Sequence, residues 1–212
     1  MEKLTSADYM LLLLDLDNQK PISGSIRLMK MMFLFEKEIS PLLKNKGMDI
    51  SQMPEFIAYD YGPFAKDIYE QIDLFSNIGF ISTKKIDVIE QTDEFDDWND
   101  LYGEDLFDVN FKNGYRFLNI DYKSVEYKIE NIGHQFVKDK IYPNITAEII
   151  DIMTKFKNKI ISISTRQLLY YVYSRYGEYT TKSKIKNKIL GENNTMPADD
   201  DLIIPNESDS NV

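Results

Sequence analysis

The acidic residues between positions 87 and 108 are the first candidates for chemistry in this sequence. This acidic insertion contains ten Asp or Glu residues and no Lys or Arg. Its adjacent carboxylates, Asp93 with Glu94 and Asp96 with Asp97, could chelate a divalent cation in a metal-dependent hydrolase. The insertion has no glycine at the spacing of an EF-hand calcium loop, however. A solvated or partner-binding loop is therefore favoured over a metal site, and we predict no metal ligand and no cofactor.

The acidic insertion also carries large apolar residues that a fully solvated linker would not need. They include the only tryptophan in the chain. Aromatic side chains placed among charges are typical of the anchors in protein interfaces. We therefore predict that a protein partner contacts the insertion through four aromatic residues, Phe95, Trp98, Tyr102 and Phe107.

Residues 155–190 form a basic segment that contains nine Lys or Arg residues against one acidic residue. One interpretation is a nucleic-acid contact, in which basic side chains meet phosphates and Tyr173 and Tyr176 supply backbone or stacking contacts. A second is a solvated helix whose Ile185 and Ile189 face the core. A third is a basic end covered by the acidic insertion. The candidate nucleic-acid-binding residues are Arg175, Lys182, Lys184, Lys186 and Lys188.

His134 is the only histidine, so a metal site built on histidines is excluded. A structural histidine with its hydrogen bonds satisfied is favoured over a general base. The sequence contains no Gly-x-Ser-x-Gly motif, P-loop, dinucleotide fingerprint or HExxH motif. We therefore predict no catalytic residue and expect a protein that is not an enzyme.

Composition bounds the class of protein further. The net charge of −10 argues against non-specific binding of nucleic acid by the whole chain. The absence of cysteine excludes a disulfide framework, cysteine-ligated zinc and a thiol nucleophile, and is typical of a cytoplasmic protein. The four leucines near the N-terminus precede Asp15 and Asp17, so this stretch is too short and too acidic for a signal peptide or a membrane span. We predict a cytoplasmic protein without membrane association.

Helix signals dominate the first third of the chain, which must position these groups. Ser6 is predicted to cap a first helix, and residues 25–39 form a second one whose apolar residues occur on more than one side. A short strand is expected at residues 56–59. Gly62 and Pro63 are predicted to start a third helix as N-cap and first residue.

This third helix and the segments after it define the predicted fold. Phe64, Ile68, Ile72 and Phe75 are spaced to form one buried stripe, and residues 79 and 80 are predicted to end the helix in a Schellman motif. Strands follow from residue 80 and, after the acidic insertion, at residues 114–120 and 125–129. Helices are predicted at residues 130–141, 144–160 and 164–175, the last opened by a Ser164–Gln167 capping box, and a short helix follows.

Three helices followed by an antiparallel ribbon is the element order of a winged helix. We therefore predict an α+β fold that is mostly helical, with a winged-helix-like N-terminal half, a small antiparallel ribbon and a C-terminal helical segment. Residues 1–190 are expected to form a single domain, in which residues 5–142 are the winged-helix-like part and residues 144–190 the helical part. Residues 191–212 are expected to be a disordered acidic tail.

Four segments of the chain resemble the bacterial YwgA-like family, which looks distantly related to the Panacea (SocA-like) antitoxin domain. The similarity covers about residues 5 to 190 in the family's order. Three positions depart from the family pattern, namely Ala65, Glu130 and Gly177. The segments that carry the resemblance are RLMKMMFLFEKEI, FIAYDYGPFAKDIYEQIDLFSNIGFI, VEYKIENIG and QLLYYVYSRYGEYTTKSKI.

The resemblance implies a small cytoplasmic protein that is linked to toxin–antitoxin or phage-defence loci and acts by binding. The leading hypothesis is therefore a non-enzymatic protein-binding module whose partner is a toxin or a defence effector. The alternative is a nucleic-acid-binding transcriptional regulator that uses the basic segment of residues 155–190. Neither the residues nor the resemblance indicates the oligomeric state.

Overall fold

The computed structural model describes residues 3–48, 50–85 and 125–191. The acidic insertion, the strand predicted at residues 114–120 and the tail from residue 192 lie outside the described residues. The helices are α1 (Ser6–Gln19), α2 (Ser25–Leu34), α3 (Ser40–Asn45), α4 (Lys66–Asn77), α5 (Asn131–Phe136), α6 (Ala147–Ser162), α7 (Thr165–Arg175) and α8 (Lys186–Gly191). The strands are β1 (Leu4–Thr5), β2 (Ile22–Ser23), β3 (Ile50–Ser51), β4 (Ile57–Tyr59), β5 (Gly62–Phe64), β6 (Ile81–Lys85) and β7 (Val125–Ile129).

The chain folds as a mostly helical α+β protein with small antiparallel sheets and a C-terminal helical segment, as predicted. β7 pairs antiparallel with both β2 and β6, in the order β2-β7-β6. β4 and β5 form a separate antiparallel hairpin, and β1 pairs in parallel with β3. The winged-helix assignment itself stays a prediction.

The two N-terminal helices supply the centre of the core. Residues 11–14 of α1 are fully buried leucines, and every residue from 25 to 35 is buried. A helix that is covered on all sides lies inside the domain, which agrees with the apolar residues on more than one side of α2. α2 continues into a π-helical turn (Phe35–Ile39) and then into α3.

The cap of α1 differs from the prediction by one residue. Thr5, not Ser6, is the N-cap, and it forms a capping box with Asp8. The Ser6 hydroxyl instead donates to the carbonyl of Gln52 at 2.6 Å. The Ser6 side chain therefore makes a long-range hydrogen bond, and the Thr5 side chain accepts a hydrogen bond from a free backbone N–H group at the start of the helix.

The predicted start of the third helix is wrong. Gly62 and Pro63 lie in β5, opposite Tyr59 and Ala58 in β4, and α4 begins at Lys66. Gly62 has a φ of 84°, and a Cβ at this position would lie 2.7 Å from the Tyr173 ring. The hairpin thus requires glycine at this position, both for the positive φ and for the close packing. A Gly-Pro sequence is also compatible with a helix start, so the sequence alone does not distinguish the two.

The end of α4 agrees with the prediction. The amide of Phe80 donates to the carbonyl of Phe75 at 2.8 Å, and the amide of Gly79 donates to the carbonyl of Ser76 at 3.1 Å. Gly79 has a φ of 75°, and the rings of Phe75 and Phe80 stack with centroids 6.0 Å apart. These contacts are the two hydrogen bonds and the apolar contact of a Schellman motif, which leads directly into β6.

Three buried cationic side chains donate hydrogen bonds to backbone carbonyls at helix ends and in a hairpin. Arg27 in α2 donates to the carbonyls of Ile160 and Ile163 at 2.7 and 2.6 Å, at the C-terminal end of α6. Lys157 in α6 donates to the carbonyl of Leu16 at 2.7 Å. Lys30 in α2 donates to the carbonyl of Pro63 at 2.8 Å. Cationic donors at such carbonyls satisfy acceptors that have no backbone partner.

Candidate binding surfaces

The aromatic anchors predicted for a protein partner cannot be placed on a surface. All four, Phe95, Trp98, Tyr102 and Phe107, lie outside the described residues. The carboxylate pairs of the acidic insertion lie there too.

Three exposed apolar side chains lie on α4 and at the start of α5, on either side of the α4–β6 connection. Leu74 and Ile78 are 55% and 46% exposed and occur four residues apart, so they share one face of the helix. Ile132, at the start of α5, is 62% exposed. Its Cδ1 atom lies 4.0 Å from the position that a Cβ would take on Gly79. We call these three residues and the exposed carboxylates of α4 the α4–α5 surface.

The α4–α5 surface rests on a rigid support. A Cβ at Gly133 would lie 2.3 Å from the carbonyl oxygen of Phe80, so the backbone of α5 packs directly against the α4–β6 connection. The ring of Phe80 contacts the rings of both Phe75 and Phe136, with centroids 6.0 and 5.1 Å apart. The amide of Glu130 also donates to the Phe80 carbonyl at 2.8 Å. These contacts fix the start of α5 against the end of α4.

The exposed carboxylates of α4 belong to this surface. Asp67, Glu70 and Asp73 are exposed on α4. Glu70 forms an ion pair of 2.6 Å with Lys66. The exposed face of α4 is thus net negative, as its sequence indicates, and a negative face is unsuited to a DNA groove.

The basic candidates lie at the junction of α7 and α8. Lys182, Lys184 and Lys188 are exposed, whereas Lys186 is half-buried. Lys184 forms an ion pair of 2.8 Å with Asp60, and this hydrogen bond raises the pKa of its ammonium group. The guanidinium of Arg175 lies over the ring of Tyr171, 4.6 Å from its centroid. The buried Ile185 and Ile189 beneath them agree with a short helix whose apolar side faces the core.

The structure does not support the wider basic segment as one continuous cationic surface. Lys157 is fully buried, and its ammonium group donates a hydrogen bond to the carbonyl of Leu16. Lys155 forms an ion pair of 2.8 Å with Asp151. The formal charge of the segment therefore overstates the charge that a nucleic acid would meet.

The tyrosines proposed for nucleic-acid contacts are also engaged inside the protein. Tyr173 is buried, and its hydroxyl lies 2.9 Å from the hydroxyl of Ser183, so the stacking role proposed for Tyr173 is wrong. Tyr176 donates its hydroxyl to Glu38 at 2.7 Å. A tyrosine that packs in the core leaves no ring face for a base.

His134 has the hydrogen bond expected of a structural histidine. Its Nδ1 lies 2.6 Å from Asp15, whose side chain is buried, and Tyr142 donates to the second oxygen of the same carboxylate at 2.8 Å. Burial and the neighbouring carboxylate raise the pKa of the Tyr142 phenol. The cluster connects α1 to α5 and to the segment that follows it.

A second carboxylate cluster escaped the sequence reasoning. Glu38, in the π-helical turn after α2, accepts hydrogen bonds from Tyr171 at 3.0 Å and from Tyr176 at 2.7 Å. Burial raises the pKa of Glu38, and both hydrogen bonds oppose this shift. The partners are more than 130 residues away in sequence, and the only local signal is the richness of residues 170–179 in tyrosine.

The residues that the structure describes include neither a metal-binding cluster nor a membrane-spanning helix. Within residues 3–48, 50–85 and 125–191, no group of three or more His, Asp or Glu side chains is placed to hold a metal ion. None of the helices that the structure describes is long and apolar enough to cross a membrane.

Comparison with known proteins adds no relative. No protein-family model, curated protein or solved structure matches this chain. The resemblance to the YwgA-like family therefore stays a prediction, and the surfaces described above carry the functional conclusion.

Proposed function

We propose that this chain is a non-enzymatic, antitoxin-like or phage-defence-associated module that acts in the cytoplasm by binding a partner protein. The observation that carries the proposal is the group of three exposed apolar side chains on the α4–α5 surface, Leu74, Ile78 and Ile132. The cytoplasmic location rests on the absence of cysteine.

The grouping of these side chains matters more than their number. Single exposed apolar residues are normal on protein surfaces, whereas adjacent ones on a rigid support are typical of interaction sites. Leu74 and Ile78 belong to one helix and Ile132 to another, and they are brought near one another because the start of α5 packs against the α4–β6 connection. A partner that covers them removes apolar area from water at each of the three positions.

The product of the gene adjacent to this one is the first partner to test, because an antitoxin-like protein is expected beside its effector. Isothermal titration calorimetry should detect binding of this product to the full chain. The double substitution Leu74→Ser with Ile132→Ser should weaken binding by about tenfold or more, since each substitution of these exposed side chains loses roughly 1 kcal/mol of apolar burial in the complex.

Ile57→Ser is the matched control for this experiment. Ile57 is also an exposed apolar residue, 50% exposed, but it lies in β4 and outside the α4–α5 surface. Its substitution should leave the affinity unchanged. Equal affinity of the wild type and the double variant would reject the α4–α5 surface as the binding site.

The second candidate function is nucleic-acid binding by the α7–α8 junction, favoured by the exposure of Lys182, Lys184 and Lys188. It predicts binding that weakens steeply with salt and that is lost when these lysines and Lys186 are replaced together by Gln. Replacement by Gln of four exposed lysines elsewhere, at positions 44, 128, 138 and 140, is the control for total charge. No mobility shift at low salt would reject this function.

A further inference from the structure

The charges around the α4–α5 surface indicate the chemistry of its partner. We propose that this surface binds a protein segment whose apolar side chains are flanked by Lys or Arg. The proposal rests on the protein-binding function above and specifies the partner of the same site.

One stripe of α4 carries both acidic and apolar residues. Asp67, Leu74 and Ile78 are spaced by seven and four residues, which places them on one stripe of the helix. Glu70 lies beside this stripe, four residues before Leu74. A segment that covers Leu74 and Ile78 therefore passes along carboxylates at the N-terminal end of the same helix.

The exposed face of α4 carries more negative than positive charge. Lys66 is the single basic residue of α4, and its ammonium group pairs with Glu70. Asp67 and Asp73 make no ion pair with any residue that the structure describes. Two carboxylates on the surface thus remain to be matched by a partner, and opposite charge at the rim of an apolar contact sets which partner binds.

The α4–α5 surface is preorganised. The Schellman motif at Gly79 fixes the end of α4, and the contact between Gly133 and the backbone of Phe80 fixes the start of α5. A partner therefore meets its apolar anchors already in place, so little ordering of this protein opposes binding. Anchors from two helices with a repeat of about one turn suit an amphipathic helix as the bound segment.

The test uses the full chain and three fluorescent peptides of about 18 residues, or five helical turns. The first has Leu on one face and Lys on the other, and the other two have Glu or Gln in place of each Lys. Fluorescence anisotropy at about 0.15 M salt, where long-range charge effects are screened, should show that the Lys peptide binds about threefold more tightly than the Gln peptide and that the Glu peptide binds most weakly.

Substitutions locate the binding. Leu74→Ser with Ile132→Ser should weaken the affinity for the Lys peptide by about tenfold, and Asp67→Asn with Asp73→Asn by about threefold. The controls are Ile57→Ser and the pair Asp139→Asn with Glu178→Gln, which removes two exposed carboxylates elsewhere; neither should change the affinity. All altered side chains are exposed, and an unchanged far-UV spectrum verifies the fold.

Several outcomes overturn the proposal. The cationic partner is rejected if the Lys peptide does not bind at about 0.1 mM, if the Glu peptide binds equally well, or if the double apolar variant retains full affinity. Binding of the Gln or Glu peptide that is as tight as that of the Lys peptide and that the apolar variant weakens would reject only the partner's charge and would support the protein-binding function. A further outcome is a dimer that light scattering detects and that the Leu74→Ser substitution converts to monomer. This result would mean that a second copy of the chain occupies the surface, and it would reject the proposal as stated.

Discussion

Lys30 offers the sharpest test of the physical reasoning, because its ammonium group is buried in α2 with the carbonyl of Pro63 as its hydrogen-bond acceptor. Burial lowers the pKa of this lysine from 10.5 to about 7, and no charged neighbour offsets the effect. The perturbation is Lys30→Met, which keeps the length of the side chain and removes the charge. It also removes the donor to Pro63, at a pH-independent cost of about 1 kcal/mol.

The sign of the pH dependence follows from proton binding. The unfolded chain keeps a proton on Lys30 up to a pH of about 10.5, whereas the folded protein releases it above a pH of about 7. Between these values the unfolded state binds more protons, so the free energy of unfolding rises with pH. At about 1.4 kcal/mol per pKa unit, this lysine makes the wild type roughly 3 kcal/mol more stable at pH 9 than at pH 6.

The assay is urea denaturation followed by circular dichroism at fixed ionic strength between pH 6 and pH 9. Other groups titrate equally in both proteins, so the difference between wild type and Lys30→Met isolates Lys30. We expect this difference to shift by roughly 3 kcal/mol in favour of the wild type as the pH rises. Lys44→Met, at an exposed position of α3, should show no such shift. A difference that stays constant with pH would refute the burial of a titrating ammonium group.

Three further substitutions test other contacts of the fold by thermal or urea denaturation. Gly133→Ala should destabilise the protein by about 2 kcal/mol or more, since its Cβ would lie 2.3 Å from the backbone oxygen of Phe80, and an unchanged midpoint would contradict this packing. Ser164→Ala should cost about 1 kcal/mol, because it removes the cap that Ser164 forms with Gln167; retained stability would show that the capping box contributes nothing. Arg27→Met should cost about 3 kcal/mol by leaving the carbonyls at the end of α6 without donors, and a neutral effect would mean that water replaces the guanidinium.

The features that sequence reasoning predicted correctly depend on residues that are near neighbours. The capping box of Ser164 and Gln167 and the helix stop at Gly79 and Phe80 are formed by groups within five residues of each other. The chemistry of such motifs is local, so their residue types and spacing are enough to identify them. The buried stripe of Ile68, Ile72 and Phe75 is similarly local, since it follows from the period of the helix.

The features that were wrong or missed depend on distant partners. Gly62 carries the signal of a helix cap, but it lies in a hairpin that packs against the ring of the distant Tyr173. No residue near Glu38 in the sequence indicates its hydrogen bonds with Tyr171 and Tyr176. A glycine and a glutamate are each compatible with several environments, and long-range packing selects among them.

The sequence by itself determined the helical periodicity, the caps and the opposite charges of the segments, because these properties reside in adjacent side chains. Tertiary structure alone decided which charges reach the surface. Lys157 belongs by sequence to a basic segment, yet its ammonium group is buried against the carbonyl of Leu16, 141 residues away. The exposed apolar residues of the α4–α5 surface likewise come together only when the backbone of α5 packs against Phe80, since exposure is a property of the assembled fold.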